Sequence, residues 1–281
     1  MGPSAIRIAG IGERLRELGH KVLDEGDLDI KNAEELRVGD IKARYVKEIA
    51  RTLRTMAAKV ETIVSRRGFP LVLGGDHSIA VGTIAGIASY CRRNRKKLGL
   101  LWIDAHGDIN TPATSPSGNV HGMPLAVALG LGPRDLTRVG GTFDKVDPRN
   151  VAIVGLRSLD DGEKKRIAQT GVNAFTMTEI DTQGIHRVVR KALSRVTQGT
   201  DFLHVSLDLD AVDPTVASGV GTPVKGGLDY REAHLMMELI AESKAMTSLE
   251  VVEVNPILDT RNASAEFAVE LVQSAFGKKI L

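Results

Sequence analysis

Five short, continuously apolar runs, set apart by stretches of helical periodicity, constrain this chain more than any other feature. The runs are FPLVLGG (69–75), LGLLWID (98–104), NVAIVGLRS (150–158), DFLHVSLDLD (201–210) and SLEVVEVNP (248–256). A strand that is apolar end to end has both faces covered, as in a parallel sheet between two helical layers. Residues 40–67 carry Ala43, Val46, Ile49, Ala50, Leu53, Met56, Ala57, Val60, Ile63 and Val64, in steps of three and one that mark a helical stripe. Similar patterns predict helices over 79–93, 180–197, 229–243 and the tail 264–279. The expected fold is α/β, a single domain over 1–281 with a parallel β-sheet flanked by helices on both faces. No internal repeat, low-complexity linker or composition break divides it.

The totals narrow the function classes. A net charge of +2 gives no reason to expect nucleic acid or an anionic membrane as partner. The basic cluster Arg92, Arg93, Arg95, Lys96 and Lys97 lacks interleaved aromatics and reads as a solvated helix end. No apolar run approaches the ~20 residues of a membrane-spanning helix. The N-terminus lacks a secretory pattern, and a single cysteine, Cys91, allows no intrachain disulfide. A cytoplasmic protein is the expectation. Nucleophile-elbow, Walker A and dinucleotide-binding signatures are absent.

The chemistry collects where strands end. Asp104, His106 and Asp108 follow one strand at every second position, a spacing that brings side chains to one side if the extended geometry persists. His77 follows another strand, and Asp208 and Asp210 a third. A lone strand-end aspartate is more often a cap or turn former, the reading kept for Asp76. Four aspartates packed together would repel one another and raise their own pKa values; two divalent cations would cancel that charge. Carboxylates outnumber imidazoles two to one and thiolates are missing, which favours a hard ion such as Mn²⁺ over structural Zn²⁺. Two metals sharing carboxylates can activate one water between them, a binuclear hydrolytic site.

GGDHS, WIDAHGDIN, SLDLDAVDP and EVNP resemble the ureohydrolase family, whose members share an arginase/deacetylase-like fold. SPSGNVHGMPLA and GTPVKGGLDYRE are similar to its bacterial arginases in particular, and the resemblance covers essentially the whole chain. It implies two Mn²⁺, one held by His77, Asp104, Asp108 and Asp208, the other by His106, Asp104, Asp208 and Asp210. It implies a hydroxide between them that attacks the guanidinium carbon of L-arginine, giving urea and L-ornithine. By the same resemblance His121 shuttles protons, Asp108 passes the hydroxide proton to the leaving amine, and Glu253 pairs with the guanidinium. Asn110 and Ser117, with Ser115 and Asn119 nearby, would hold the α-carboxylate. Asp160 and Glu163 would face the α-ammonium, and Thr222 would lie near the guanidinium. A homo-oligomer, trimer or hexamer, is implied in the same way.

Set against the family pattern, a strand and a glycine-rich loop would precede Met1. Ala211 stands where a glycine is common, and a positive φ there would cost ~1 kcal/mol; Ser218 replaces a common proline. Competing readings are agmatinase or another guanidino-compound amidinohydrolase, a non-catalytic relative, and a one-zinc deacetylase on a similar scaffold.

Overall fold

The computed structural model describes residues 1–279; the last two residues of the expected 1–281 domain lie outside them. Six strands form one sheet: β1 Leu71–Leu73, β2 Leu98–Ile103, β3 Val151–Leu156, β4 Asn173–Thr176, β5 Phe202–Asp208 and β6 Met246–Val252. Every pair is parallel, in the order β1-β6-β5-β2-β3-β4. The chain builds outward from β2 through β3 to β4, then crosses to lay β5 and β6 on the other side. Strands β2 and β5 meet where the order reverses, the place where open α/β sheets bind ligands.

Alternation splits the strands between two cores. Leu101, Ile103, Val154, Val205, Leu207 and Val251 face the helices Gly2–Ile8, Ile11–Glu17, Met177–Gln183, Ile185–Thr197, Tyr230–Ser243 and Ala263–Ala275. Leu98, Leu100, Trp102, Val151 and Ile153 face the helices Val46–Ser65, Ala80–Arg93 and Pro124–Ala128. Among the described residues no helix is long and apolar enough to cross a membrane.

The differences from expectation have local causes. Strand β4 was not anticipated, because NAFT is four residues long, half-buried and polar at its start. The run at 69–75, expected as a buried strand, yields only three paired residues, all half-buried, since β1 lies at the sheet edge and has one neighbour. The helix expected over 180–197 is two helices, broken at Gly184, whose φ of 80° and ψ of 145° are outside any helix. The helix expected over 40–67 starts at Val46, after Tyr45 with its left-handed φ of 56°. Arg92 and Arg93 close the last turn of the Ala80–Arg93 helix.

The Val46–Ser65 and Ala80–Arg93 helices pack closely because Gly86 has no side chain: a Cβ there would meet Ala57 O at 2.5 Å and Val60 Cβ at 2.8 Å. Gly86→Val should lower stability by about 1–3 kcal/mol, read as a lower urea midpoint at unchanged slope. Gly122→Ala, where a Cβ would meet nothing within 4 Å, should stay within about 0.5 kcal/mol of the parent.

Candidate metal centre

Register places the first two carboxylates. Ile103 pairs with Leu207, so Asp104 and Asp208 leave β2 and β5 side by side. Asp208 pairs with Val252, which delivers Glu253 next to them. His77 enters from the turn after β1, where Asp76 accepts from Ser78 N at 2.9 Å as a cap. The cap reading of Asp76 is therefore what its hydrogen bond supports.

Asp104, His106 and Asp108 converge by a route other than the expected one. Strand β2 ends at Ile103, so no pleat carries the spacing forward. The chain bends instead, and Asp108 adopts a left-handed φ of 48°. That turn sends Asp108 to His77 (Nδ1–Oδ2 3.0 Å), while His106 goes to Asp210 (Nδ1–Oδ2 3.0 Å). Asp104 serves both sides: Oδ2 is 3.2 Å from His77 Nδ1 and Oδ1 is 3.4 Å from His106 Nδ1. Asp208 Oδ2 is 3.1 Å from His77 Nδ1. Two donor groups result, His77–Asp104–Asp208 and Asp104–His106–Asp210, sharing Asp104.

Backbone donors and a stacked ring hold these groups still. His106 N donates to Asp104 Oδ1 at 2.6 Å, Asp210 N to Asp208 Oδ1 at 2.8 Å, and Trp102 Nε1 to Asp104 Oδ2 at 2.9 Å. Trp102 also stacks on His77 at 4.0 Å. Thr222 Oγ1 donates to Asp210 Oδ2 at 2.9 Å. Ala211 lies in the short right-handed turn Leu209–Ala211 and is not among the positive-φ residues, so the feared strain does not arise. Arg157, which the sequence did not single out, ties this turn down by donating to Asp210 O at 2.7 Å, Ala211 O at 3.0 Å and Val224 O at 2.7 Å.

These groups fit a pair of cations. His77 Nδ1 is buried, faces three carboxylates and has no partner in hydrogen-bond geometry. Asp104, Asp208 and Asp210 are almost wholly buried as well. Burial and the charge of Asp104 push Asp108 up to about 7, and burial with Asp210 and Asp104 raises Asp208 well above the carboxylate range. Burial opposes charge on His106, but Asp104 and Asp210 outweigh it and lift His106 to about 11. The donors are oxygen and imidazole nitrogen; Cys91 is a buried free thiol on another element.

Around this floor lie the other predicted residues. His121 Nδ1 is 3.3 Å from Glu253 Oε1, and Glu253 also accepts from His77 N at 2.8 Å. Glu253 has a left-handed φ of 65°, a strained value tolerated where the surroundings fix the backbone. His121 is raised to about 9, mainly by that hydrogen bond. Asp160 and Glu163 form a capping box on the Asp161–Thr170 helix. Glu163 is buried, and its Oε1 is 3.0 Å from where a Cβ on Gly107 would sit, so this acidic turn lies against the His106 loop. Asn110 Nδ2 donates to Asp160 Oδ2 at 2.7 Å, while Asn110 Oδ1 is buried without a partner. Ser115 Oγ accepts from Gly118 N and Ser117 Oγ from Asn119 N, so these three residues bond within their own loop. Among the described residues no hydrogen bond joins Ser115, Ser117 or Asn119 to the carboxylates.

One polar row beneath the site escaped the sequence reading. Trp102, Ser206 and Glu250 pair across β2, β5 and β6, with His204 and Ser248 one step below. His77 Nε2 lies 2.7 Å from Ser206 Oγ, and Ser206 Oγ lies 2.6 Å from Glu250 Oε1. Burial opposes ionisation of Glu250, but His204 holds its carboxyl below the ordinary range. The signal was available: a carboxylate in the middle of a buried apolar strand is anomalous unless it is paired.

The sequence and the fold both match known proteins. A model described as "Arginase family" matches residues 1–277. The arginase of Bacillus caldovelox is 52% identical over 282 residues, which is all of this chain and 93% of that protein. The arginase of Bacillus subtilis (strain 168) is 49% identical over 281 residues, again 100% of this chain and 93% of the relative. Among solved structures, the native arginase of Bacillus caldovelox superposes with a TM-score of 0.96 at 52% identity, covering 100% of this chain and 93% of that one.

The sign of the pH dependence follows from the shifts. Unfolded, Asp108 and His106 would titrate near ~4 and ~6.5. Folded, both hold their protons to higher pH, so the folded state binds more protons across about 4–7 and 6.5–11. Stability must then fall as pH rises through those windows. The urea midpoint of chelator-treated protein should drop between pH 5 and pH 9. Added Mn²⁺ should raise it, more at pH 9, because cations displace those protons. Asp104→Asn should abolish the Mn²⁺ response; a midpoint flat with pH would contradict the burial of these charges.

Proposed function

Because the chain belongs to the arginase family, we propose that it is an arginase, a hydrolase that cleaves the guanidinium of L-arginine to L-ornithine and urea. Residues 1–281 act as one ureohydrolase domain. The supporting observation is the pair of buried donor groups that share Asp104, with His121 and Glu253 at their rim. His77, Asp104, Asp108 and Asp208 would hold one ion, and His106, Asp104, Asp208 and Asp210 the other. Manganese is the proposed metal, since the donors are mostly hard oxygens. Two such ions supply a water that is nucleophilic near neutral pH.

The chain's own groups do the rest. Glu253, fixed by His77 N, presents its carboxylate to the planar guanidinium. Thr222, hydrogen-bonded to Asp210, borders the same place. Asp108, its Oδ2 3.0 Å from His77 Nδ1, can accept a proton and pass it toward the leaving amine. His121, half-buried and hydrogen-bonded to Glu253, can relay protons between the cleft and solvent. At the far end, Asp160 and Glu163 would meet the α-ammonium, and Asn110 with the 115–119 loop the α-carboxylate. Asn110 Nδ2 gives one hydrogen to Asp160 Oδ2, which leaves its second N–H and the backbone N–H groups of the loop to donate to the carboxylate. A cytoplasmic homo-oligomer, trimer or hexamer, completes the proposal, and sedimentation of the purified protein reads its assembly.

Urea release tests the reading. Mn²⁺-loaded protein should hydrolyse L-arginine and leave agmatine largely intact, and a chelator should stop it. Activity chiefly on agmatine would reassign the 115–119 loop and make the protein another amidinohydrolase. A folded, metal-loaded but inactive protein would favour a non-catalytic relative. His121→Ala should lower kcat by about 10²–10⁴-fold while both metals stay bound, as metal analysis would show; release of metal instead would remove the shuttle assignment.

A further inference from the structure

We infer that Glu250 is a positioning residue that sets the hydrogen-bond direction of Ser206 and thereby aims the Nδ1 lone pair of His77 at the carboxylate cluster. The inference rests on the metal-centre reading above. Glu250 is wholly buried, and Ser206 Oγ donates its one proton to Glu250 Oε1 at 2.6 Å. An ionised carboxylate only accepts, so this proton is committed. Ser206 Oγ can then only accept from His77 Nε2, 2.7 Å away, and Nε2 must carry the hydrogen. A neutral imidazole bears one N–H, so Nδ1 is left bare. Nδ1 is the atom that faces Asp104, Asp108 and Asp208 without a hydrogen-bond partner. Without Glu250 the Ser206 hydroxyl could turn and donate to Nε2, which would move the hydrogen to Nδ1 and oppose cation binding. His204 supports the chain from below, with Nε2 3.2 Å from Glu250 Oε1 and Nδ1 3.0 Å from Ser248 Oγ.

The test compares Glu250→Leu, Glu250→Gln, Ser206→Ala and the Ser206→Ala/Glu250→Leu double variant in the full chain. Mn²⁺ affinity would be followed at each of the two sites by electron paramagnetic resonance. The His77 Nε2–H resonance would be read by nitrogen-edited NMR in protein loaded with diamagnetic Zn²⁺. Glu250→Leu should weaken the ion at His77 by about 10–100-fold, spare the ion at His106, and shift the Nε2–H signal upfield. Glu250→Gln keeps an acceptor carbonyl and should stay close to the parent on both readouts. Ser206→Ala should reproduce the loss, and adding Glu250→Leu to it should cost nothing further, since the two act through one bond. If Glu250→Leu does not fold, Glu250→Val takes its place in both comparisons. Equal weakening at both ions, or unchanged affinity and resonance at His77, would overturn the inference. A parent protein that binds no ion at His77 would instead overturn the metal-centre reading itself.

Discussion

Four aspartates and two histidines crowd the carboxyl ends of β2 and β5, nearly all of them out of contact with water. Like charges at this spacing cannot all ionise unaided, and the upward shifts of Asp108 and Asp208 are the direct expression of that conflict. The surrounding structure serves to keep the conflict in place. Backbone N–H groups from His106 and Asp210, the indole of Trp102 and the hydroxyl of Thr222 each hold a carboxylate against its neighbours' repulsion. A cation shared through Asp104 relieves the repulsion more completely than protons do, because it lets every carboxylate stay charged.

Rigidity comes from the sheet and from two strained turns. Parallel pairing of Ile103 with Leu207 and of Asp208 with Val252 sets three strand ends side by side. Asp108 and Glu253 then leave their strands with left-handed backbones, conformations that cost free energy for a residue with a side chain. In each the deviation re-aims a carboxylate: Asp108 toward His77 Nδ1 and Glu253 toward His77 N. Arg157 clamps the third strand end through three backbone carbonyls. The helix Asp161–Thr170 brings its capping box against the loop that carries His106, with Glu163 beside Gly107.

The layer beneath the site is polar where a buried sheet would ordinarily be apolar. His204, Ser206, Ser248 and Glu250 form a hydrogen-bonded row within the face that carries Trp102, with His204 Nε2 and Glu250 Oε2 left without a hydrogen-bond partner. Such a row is costly to bury unless it is paired throughout. Its direct hydrogen bond to His77 connects this expense to the site above.

Sequence by itself determined the parallel α/β layering, because continuous apolar runs and helical stripes admit few other packings. It also named the six side chains that the structure gathers, because metal-seeking residues recur at strand ends in HGD and DLD spacing. It missed β4, whose half-buried edge leaves little hydrophobic signal, and the break at Gly184, where two helices share one apolar phase. Only the tertiary structure decided how Asp104, His106 and Asp108 converge, since a left-handed bend at Asp108 rather than the pleat carries them together. Only it showed that Ala211 is unstrained and that Ser206 and Glu250 lie under His77. Those facts depend on register between strands far apart in the chain, and a local pattern carries no information about register.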